Sequence, residues 1–424
     1  MSTIQIQSTL PVEKAYDVIV AGAGVAGIAA AIQARRSGKT VLLLEKTLSL
    51  GGLATTGLIN LFVPMCNGRG TQIIKGMCDE FVQLSTSLGY DTISEDWKHG
   101  DHPTDHHVPR YMTRYSPNIF AMQLSQLVVK EGVDLLLDCI ASEPVMRGGH
   151  CDGIIVQSKS GRSYYPCKMV IDATGDADLL ARADAPTVLG KNYFTYIGRR
   201  IDLDTCKKAL ETGRIEDAMP AYAGGNINLY GHNQPKDVPL YQGVTPQEVT
   251  DYILRNQKVM LDQLAGEPRF SRDIALLPGM TQFRTTRRIE GDYTLRTEDA
   301  YRHFDDSIAA ICDFDRFDYL YEVPYRTLTN HTLDNMITAG RSASGVDYAW
   351  DILRVIPPAI VTGQAAGAAA ALAIEQNVSI CDVHMPTLQQ RLQNANVMIH
   401  FDDRLVPDAQ ASASAKPDST EEHI

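Results

Sequence analysis

The 424-residue sequence lacks an apolar run long enough to suggest a segment that crosses a bilayer. The alanine-rich segment 365–374 is apolar but short, which favours a buried helix. Residues 1–14 lack the charged start and the long apolar run of a secretory signal. We therefore expect a cytoplasmic protein that has no membrane as a partner.

Basic residues are fewer than acidic ones, 39 against 51, and the formal net charge is −12 at pH 7. Nonspecific binding to nucleic acid needs a basic face for the phosphates, so we expect no nucleic-acid partner. The eight cysteines show neither the spacing of a disulfide framework nor that of a metal-binding finger, which suits a reducing compartment. A hydrophobic fraction of 44% is ordinary for a globular protein.

A strand, a glycine-rich turn and a helix are predicted in succession near the N-terminus. Residues 17–21 are β-branched or small and apolar, as in a buried strand. Gly22, Gly24 and Gly27 follow with the spacing G-x-G-x-x-G, and residues 28–37 have helical periodicity. The first glycine permits a tight turn, the second a close approach of a pyrophosphate, and the third close packing of helix on strand.

A second strand, residues 40–44, ends at Glu45, about 20 residues past the glycines. A carboxylate here accepts hydrogen bonds from ribose hydroxyls and disfavours a 2′-phosphate. The free N–H groups at the helix N-terminus favour the anionic pyrophosphate. The complete unit therefore predicts a dinucleotide site rather than a chance run of glycines.

Gly51 and Gly52 come shortly after the acidic residue, a feature of FAD proteins rather than of NAD dehydrogenases. On these residues the chain resembles the FAD-dependent oxidoreductases of the large two-dinucleotide-binding-domain flavoprotein superfamily that includes glutathione reductase. The resemblance implies FAD as cofactor. It also implies an α/β fold, with a doubly wound Rossmann-type FAD-binding domain and an inserted α+β substrate or cap domain.

Further segments resemble a bacterial family described as FAD-dependent oxidoreductases. The matching patterns are G-G-x-A-T-x-G at 51–57 and R-x-x-R-R-I-x-G-D-Y at 284–293. A strand ending in A-T-G at 173–175 is expected to return the chain to the cofactor. Near the C-terminus, DNMITAGRS predicts a strand over 335–338, and TGQAAG is expected to open a long helix at 362–367 whose start faces the N1 and C2=O side of the flavin.

The resemblance implies contacts to FAD from each of these segments. In chain order, the expected cofactor-binding residues are Gly22, Gly24, Val25, Ala26, Gly27, Glu45, Lys46, Gly52, Leu53, Ala54, Thr55, Ala173, Thr174, Gly175, Gly340, Arg341, Gly363, Gln364 and Ala365.

The predicted organisation has five parts. They are a lead-in over 1–14, the first part of the FAD-binding domain over 15–186, a substrate or cap domain over 187–320, the return of the FAD-binding domain with a small helical end over 321–401, and a tail over 402–424 with little to bury. No second G-x-G-x-x-G occurs, so we expect no separate domain for a nicotinamide cofactor.

Disulfide reduction is excluded because no pair of neighbouring cysteines follows the Gly-Gly segment; Cys66 and Cys78 are too far apart for a redox motif. Cys66 lies in a loop that is expected to approach the flavin. There it contacts substrate, links covalently to the cofactor or, more simply, is a buried inert thiol.

The loop KHGDHPTDHHVPRY contains His102, His106 and His107, which are candidates for proton transfer because neutral imidazole suits this role at pH 7. A metal site formed with the neighbouring aspartates and a solvated loop are the alternatives, and we predict no metal. Arg284, Arg287 and Arg288 form a basic cluster in an acidic protein and are candidates for clamping a carboxylate or an oxyanion, or else form structural ion pairs.

Arg354 is a further catalytic candidate near the flavin. Together these features predict an FAD-dependent oxidoreductase that passes a hydride between flavin N5 and a small polar molecule with a CH–OH, CH–NH or C=C group. The electron donor or acceptor stays open. The alternatives are a flavin-dependent tRNA-modifying enzyme, which the acidic charge disfavours, and an electron-transfer subunit that docks an iron–sulfur partner.

Overall fold

The computed structural model describes residue 4 and residues 7–407 of the chain. The strands are β1 (Tyr16–Ala21), β2 (Val41–Leu44), β3 (Leu61–Phe62), β4 (Thr113–Arg114), β5 (Asp134–Leu136), β6 (Ile140–Arg147), β7 (His150–Ser158), β8 (Gly161–Asp172), β9 (Thr187–Leu189), β10 (Thr195–Asp202), β11 (Ala221–Asn226), β12 (Arg272–Leu276), β13 (Arg287–Ile289), β14 (Ser307–Cys312), β15 (Leu320–Pro324) and β16 (Met336–Thr338). The helices are α1 (Val25–Arg36), α2 (Met77–Thr86), α3 (Pro117–Lys130), α4 (Asp178–Arg182), α5 (Leu203–Thr212), α6 (Pro246–Ala265), α7 (Tyr348–Arg354), α8 (Ile356–Gln376) and α9 (Met385–Asn394).

The main sheet has the strand order β5-β2-β1-β8-β7-β6, and β16 also pairs with β8. β5, β2, β1, β8 and β16 are parallel, which confirms the Rossmann-type α/β fold. Strand β8 is long enough to pair in parallel over one half and antiparallel over the other. Its second half pairs with β1 and β16, whereas its first half joins β7 and β6 in an antiparallel meander.

Both faces of β1 are buried, which explains its nearly unbroken apolar sequence. Val18 and Val20 lie in one core cluster with residues of α1 and α8. Ile19 and Ala21 point to the opposite face, into a second cluster that contains Ile154 of the meander. The sheet therefore holds the end of β1, and the turn that follows it, in a fixed position.

Helix α8 begins at Ile356, not at Thr362 as the sequence analysis predicted. Pro357 and Pro358 lie in its first turn, where a missing N–H group removes no helical hydrogen bond. The helix thereby reaches the length and composition of a membrane span, with mean hydropathy 1.3, which the sequence analysis did not expect. The whole of that apolar window is buried within the fold, as expected for a core helix.

A second unit contains the antiparallel sheet β11-β10-β12, packed against α6. Its core is mainly aromatic, with Phe194, Tyr196, Tyr222, Tyr241, Tyr252 and Phe283. β14 packs instead in the core cluster of α1 and α8, with its residues 308–312 buried there. The domain limits at 187 and 320 stay predictions. Of the predicted tail, only residues 402–407 are described.

Candidate functional site

A deep cavity lies at the carboxyl ends of β1, β2 and β8. Its empty space, with the open mouth included, is about 1090 Å³. The predicted site residues that line it are Gly22, Gly24, Val25, Ala26, Glu45, Lys46, Gly52, Leu53, Ala54, Ala173, Thr174, Gly175, Arg341 and Arg354.

The three glycines of the first turn differ in what surrounds them. Gly22 has φ +98°, and a Cβ there would lie 2.5 Å from the carbonyl oxygen of Ala173. A Cβ at Gly27 would lie 1.8 Å from the carbonyl oxygen of Gly22. A Cβ at Gly24, by contrast, would have no protein atom within 4 Å. Packing within the protein therefore requires that Gly22 and Gly27 have no side chain. At Gly24 the missing side chain instead leaves space in the cavity.

Helix α1 begins at Val25, three residues earlier than predicted, directly at the cavity wall. Gly24 is its N-cap, no side chain caps the helix, and its first turn contains no acidic residue. The free N–H groups and the positive end of the helix dipole are therefore available to an anion. This arrangement fits the pyrophosphate of a dinucleotide.

Glu45 is 8% exposed and lines the cavity. One of its carboxylate oxygens accepts a hydrogen bond from the N–H of Ala23, and the other accepts one from the N–H of Thr47, both at 2.8 Å. Each oxygen keeps a lone pair for a further donor. The carboxylate is thus oriented for the ribose hydroxyls that the sequence pattern predicts.

Buried Asp172, at the end of β8, holds the A-T-G turn in place. Its carboxylate accepts hydrogen bonds from the hydroxyl of Thr174 at 2.7 Å and from the N–H groups of Leu179 and Leu180 at 2.8 and 3.0 Å. Burial raises the pKa of this carboxyl, and the hydrogen bonds oppose the shift. The sequence analysis did not single out Asp172, although it directly precedes Ala173.

The hydroxyl oxygen of Thr56 is buried and has no hydrogen-bond partner. Thr56 also lines the cavity. A buried hydroxyl without a partner is costly unless something else supplies one, and a group bound in the cavity would do so. The open space at Gly24, the uncapped α1 and this hydroxyl therefore all fit a bound dinucleotide.

The sequence matches the model of the family described as FAD dependent oxidoreductase over residues 17–199 and 226–392. The chain belongs to this family. FAD is therefore the cofactor, and the resemblance inferred from the sequence motifs is confirmed.

Thioredoxin reductase of Ureaplasma parvum serovar 3 is 31% identical over 83 residues, which are 20% of this chain and 27% of that protein. Among solved structures, a geranylgeranyl bacteriochlorophyll reductase-like protein from Thermoplasma acidophilum is 15% identical, with a TM-score of 0.48 over 90% of this chain and 83% of that one. Sdh1 of Mycobacterium smegmatis, in complex with UQ1, is 13% identical, with a TM-score of 0.46 over 91% and 73%.

Several residues predicted to bind FAD are not among those that line the cavity, and their contacts with FAD stay a prediction. They are Gly27, Thr55, Gly340, Gly363, Gln364 and Ala365. A Cβ at Gly363 would lie 2.1 Å from the carbonyl oxygen of Ala26, so this glycine lets α8 approach α1. The side chain of Gln364 accepts a hydrogen bond from the N–H of Met77 at 3.0 Å. Because α8 begins earlier than predicted, its residues at the cavity are Ile356 and Ala359.

The structure does not place the three loop histidines at the FAD cavity. His106 is exposed and contacts Asp105, whereas His107 contacts Asp318 at 2.8 Å. The His102 ring packs on Trp97, 4.6 Å between centroids. Their position gives no support to a role in proton transfer, and in the described part of the chain they form no metal-binding cluster.

Cys66 is buried and does not line the cavity. Its sulfur accepts a hydrogen bond from the N–H of Tyr111 at 3.0 Å. Of the interpretations raised by the sequence, the buried thiol agrees with this position, and a covalent link to FAD does not. Cys139 does line the cavity, and burial raises the pKa of its thiol.

Arg287 and Arg288 are held by the fold. Arg287 donates to the Asp178 carboxylate at 2.6 Å, and buried Arg288 donates to the Ser344 hydroxyl at 2.9 Å. Arg341 donates to the Asp176 carboxylate at 2.7 Å, which ties its turn to the A-T-G turn. The guanidinium groups of these three arginines therefore form contacts within the fold.

Arg354 lines the cavity and pairs with Asp351 at 2.5 Å. Its neighbour Arg284 is partly buried, and burial together with the charge of Arg354 lowers the pKa of Arg284 to about 10. Arg284 donates to the carbonyl oxygen of Ile227 at 3.1 Å, and it forms no ion pair of its own within residues 7–407. It therefore stays charged at neutral pH without a counterion of its own.

Other residues that line the cavity were not among the predicted site residues. They are Ala21, Leu44, Thr47, Gly51, Thr56, Cys139, Ile140, Ala141, Asp178, Arg182, Met280, Ala339, Ile356 and Ala359. Residues 139–141 follow β5, whose pairing with β2 brings its carboxyl end to the same edge as Glu45, and this signal was available. Met280 comes from the second unit, and no local pattern marks it.

Proposed function

We propose that this protein transfers a hydride between FAD and a small polar organic substrate that carries an anionic group, such as a carboxylate. The observation that carries the substrate class is Arg354 at the cavity, with the charge of Arg284 close to it. Asp351 pairs with Arg354, whereas Arg284 forms no ion pair in the described part of the chain. A partly buried arginine without its own ion-pair partner favours the binding of an anion.

The residues at the nucleotide end of the cavity would hold the cofactor. The N–H groups of Val25 and Ala26 would bind the pyrophosphate, Glu45 would bind the ribose, and residues 139–141 would enclose the adenine end. When bound, FAD supplies a two-electron carrier that accepts or gives a hydride at N5.

The other end of the cavity would orient the substrate. We assign to this end Thr56, Met280 and Arg354, which line the cavity, together with Arg284, whose charge interacts with that of Arg354. A guanidinium group can bind a carboxylate through two parallel hydrogen bonds, which fixes the orientation of the carbon that reacts. Since the loop histidines lie elsewhere, the proposal gives them no part in the reaction.

The proposal includes a small-molecule substrate and a cytoplasmic location, with neither a nucleic acid nor a membrane as a partner. The net charge of −12 supports the absence of a nucleic-acid partner, and the burial of α8 supports the absence of a membrane. The electron donor or acceptor is left open.

A substrate screen with chemically matched pairs tests this proposal. The purified flavoprotein is mixed anaerobically with small carboxylates and with the corresponding amides, and the flavin absorbance is followed. We expect carboxylates to perturb or bleach the flavin and the matched amides to leave it unchanged. Equal responses to both members of a pair would contradict the anionic substrate class while leaving the FAD chemistry intact.

A further inference from the structure

Two histidines and a glutamate converge where the C-terminal segment crosses the β14–β15 hairpin. The side chain of Glu322, on β15, is fully buried. Nδ1 of His303 lies 2.5 Å from its Oε1, and Nδ1 of His400 lies 2.9 Å from the same oxygen. None of the three residues lines the FAD cavity, so the proposed oxidoreductase chemistry does not use them.

The charge of Glu322 has no lysine or arginine to balance it in the described part of the chain. Its ion-pair partners are the two histidines, and its second oxygen accepts the N–H of Phe304 at 2.8 Å. A buried carboxylate is costly unless a positive group lies beside it. The two histidines supply the positive charge at this point, either as an imidazolium or as ligands of a metal ion.

The position of Asp403 determines which ring nitrogen of His303 carries a hydrogen. Its carboxylate lies 2.9 Å from Nε2 of His303 and, as an ionised carboxylate, can only accept, so Nε2 carries the hydrogen. In the neutral ring Nδ1 is then a bare lone pair that faces another acceptor, Glu322. Protonation of His303 on both nitrogens removes this conflict, and so does a metal ion bound between Nδ1 and Glu322. A carboxylate on the outer nitrogen of a histidine is also the usual support for a metal-binding imidazole.

We propose that His303, Glu322 and His400 bind a divalent cation of the zinc type, with Asp403 as the positioning residue for His303. Two imidazole nitrogens and one carboxylate oxygen form a ligand set that zinc accepts, whereas calcium and magnesium prefer oxygen alone. Three protein ligands leave the fourth position of a tetrahedral site for water.

The distances allow this assignment. The three ligand atoms lie within 4.8 Å of one another. Zinc with bonds of about 2.0–2.2 Å needs them about 3.4 Å apart, so the imidazoles must retreat from Glu322 by less than about 1 Å. Their side chains are 42% and 45% exposed, so they have room to move on the solvent side.

The position of the cluster gives the metal a structural role. The C-terminal segment already lies along β14, where the N–H of Ala310 donates to the carbonyl oxygen of Met398 and the hydroxyl of Ser307 donates to that of Ile399, both at 2.6 Å. His400 and Asp403 belong to that segment, whereas Glu322 belongs to the hairpin. A bound ion would clamp the segment onto the FAD-binding domain.

Zinc titration of the full-length holoenzyme, purified without a histidine tag and treated with a chelator, tests the proposal. We expect one zinc ion per chain by metal analysis and calorimetry, and a higher melting temperature with zinc. Glu322→Gln and His400→Ala should each weaken zinc binding on the order of 100-fold or more, and Asp403→Asn about 10- to 100-fold. FAD content should not change in any of them and serves as the check of folding.

His331→Ala is the matched control, because His331 belongs to a separate group with Asp292 and Cys381. It should bind zinc like the wild type. Absence of zinc binding by the wild type would overturn the proposal. So would zinc binding that survives both Glu322→Gln and His400→Ala, or that is lost in His331→Ala. Should Glu322→Gln lose FAD through misfolding, His400→Ala, on the half-exposed ring, decides alone.

Discussion

The two ends of the FAD cavity are built in different ways. The segments that we assign to the nucleotide end, 22–26 and 51–54, are short and rich in glycine, and they line the cavity. The residues that we assign to the other end come from more distant parts of the chain, among them Met280 and Arg354. The first construction binds a group that is the same throughout the family. In the proposed function, the second provides the side chains that determine which substrate binds.

The largest expected effect is on stability, from a substitution at the nucleotide end that disturbs packing within the protein. Gly27→Ala places a Cβ 1.8 Å from the carbonyl oxygen of Gly22, so the turn or the helix must shift. We expect a loss of about 3 kcal/mol in the free energy of unfolding, the upper range for overpacking. Denaturant unfolding of the apoprotein measures it. Wild-type stability in this variant would contradict the close packing of α1 on its turn.

Gly24→Ala should change binding and leave the fold intact. Its Cβ meets no protein atom within 4 Å but enters the space assigned to the pyrophosphate. We expect FAD affinity to fall on the order of 10- to 100-fold, from a clash of about 1–3 kcal/mol. Calorimetric titration of the apoprotein with FAD measures the change. Unchanged FAD affinity would show that the pyrophosphate lies elsewhere.

At the substrate end, Arg284→Met should leave FAD affinity unchanged and lower kcat/KM for an anionic substrate about 10- to 100-fold, the effect of losing a hydrogen bond to a charged group. Steady-state kinetics with the substrate found by the screen measure this loss. Arg214→Met, which removes an exposed arginine of the same unit, is the control and should show wild-type kinetics. An equal loss with a neutral substrate would contradict anion binding by Arg284.

The smallest effect on turnover is expected from substitutions in the histidine-containing loop. His106 and His107 are exposed and contact only nearby carboxylates and an aromatic ring, so replacing both with alanine should change turnover by less than about twofold. Turnover of the double variant at neutral pH measures this. A loss of turnover of 100-fold or more would show that the loop takes part in the reaction. It would contradict our placement of the active site in the cavity described above.

The same contrast explains how much the sequence could predict. The unit β1–α1–β2, the glycines, Glu45 and the A-T-G turn follow local rules, and the structure places most of them at the cavity. The start of α8 was predicted six residues late because the proline pair was not recognised as its first turn. A glycine-rich stretch inside a helix serves helix packing as readily as ligand binding, and only tertiary contacts distinguish the two.

The substrate end was the less predictable part for a related reason. Arg287, Arg288 and the loop histidines have suitable chemistry, but their ion pairs and hydrogen bonds lie within the fold. The relation between Arg284 and Arg354 joins positions 70 residues apart and depends on how the second unit packs on the first. Single-residue chemistry cannot reveal such pairs.

The most direct test of the account is the visible spectrum of the purified protein before and after denaturation. FAD is the family cofactor, and neither Cys66 nor the loop histidines line the cavity. We therefore expect one FAD per chain, released quantitatively into the supernatant on denaturation. Flavin that stays attached to the denatured chain, or no flavin even after reconstitution with FAD, would contradict it.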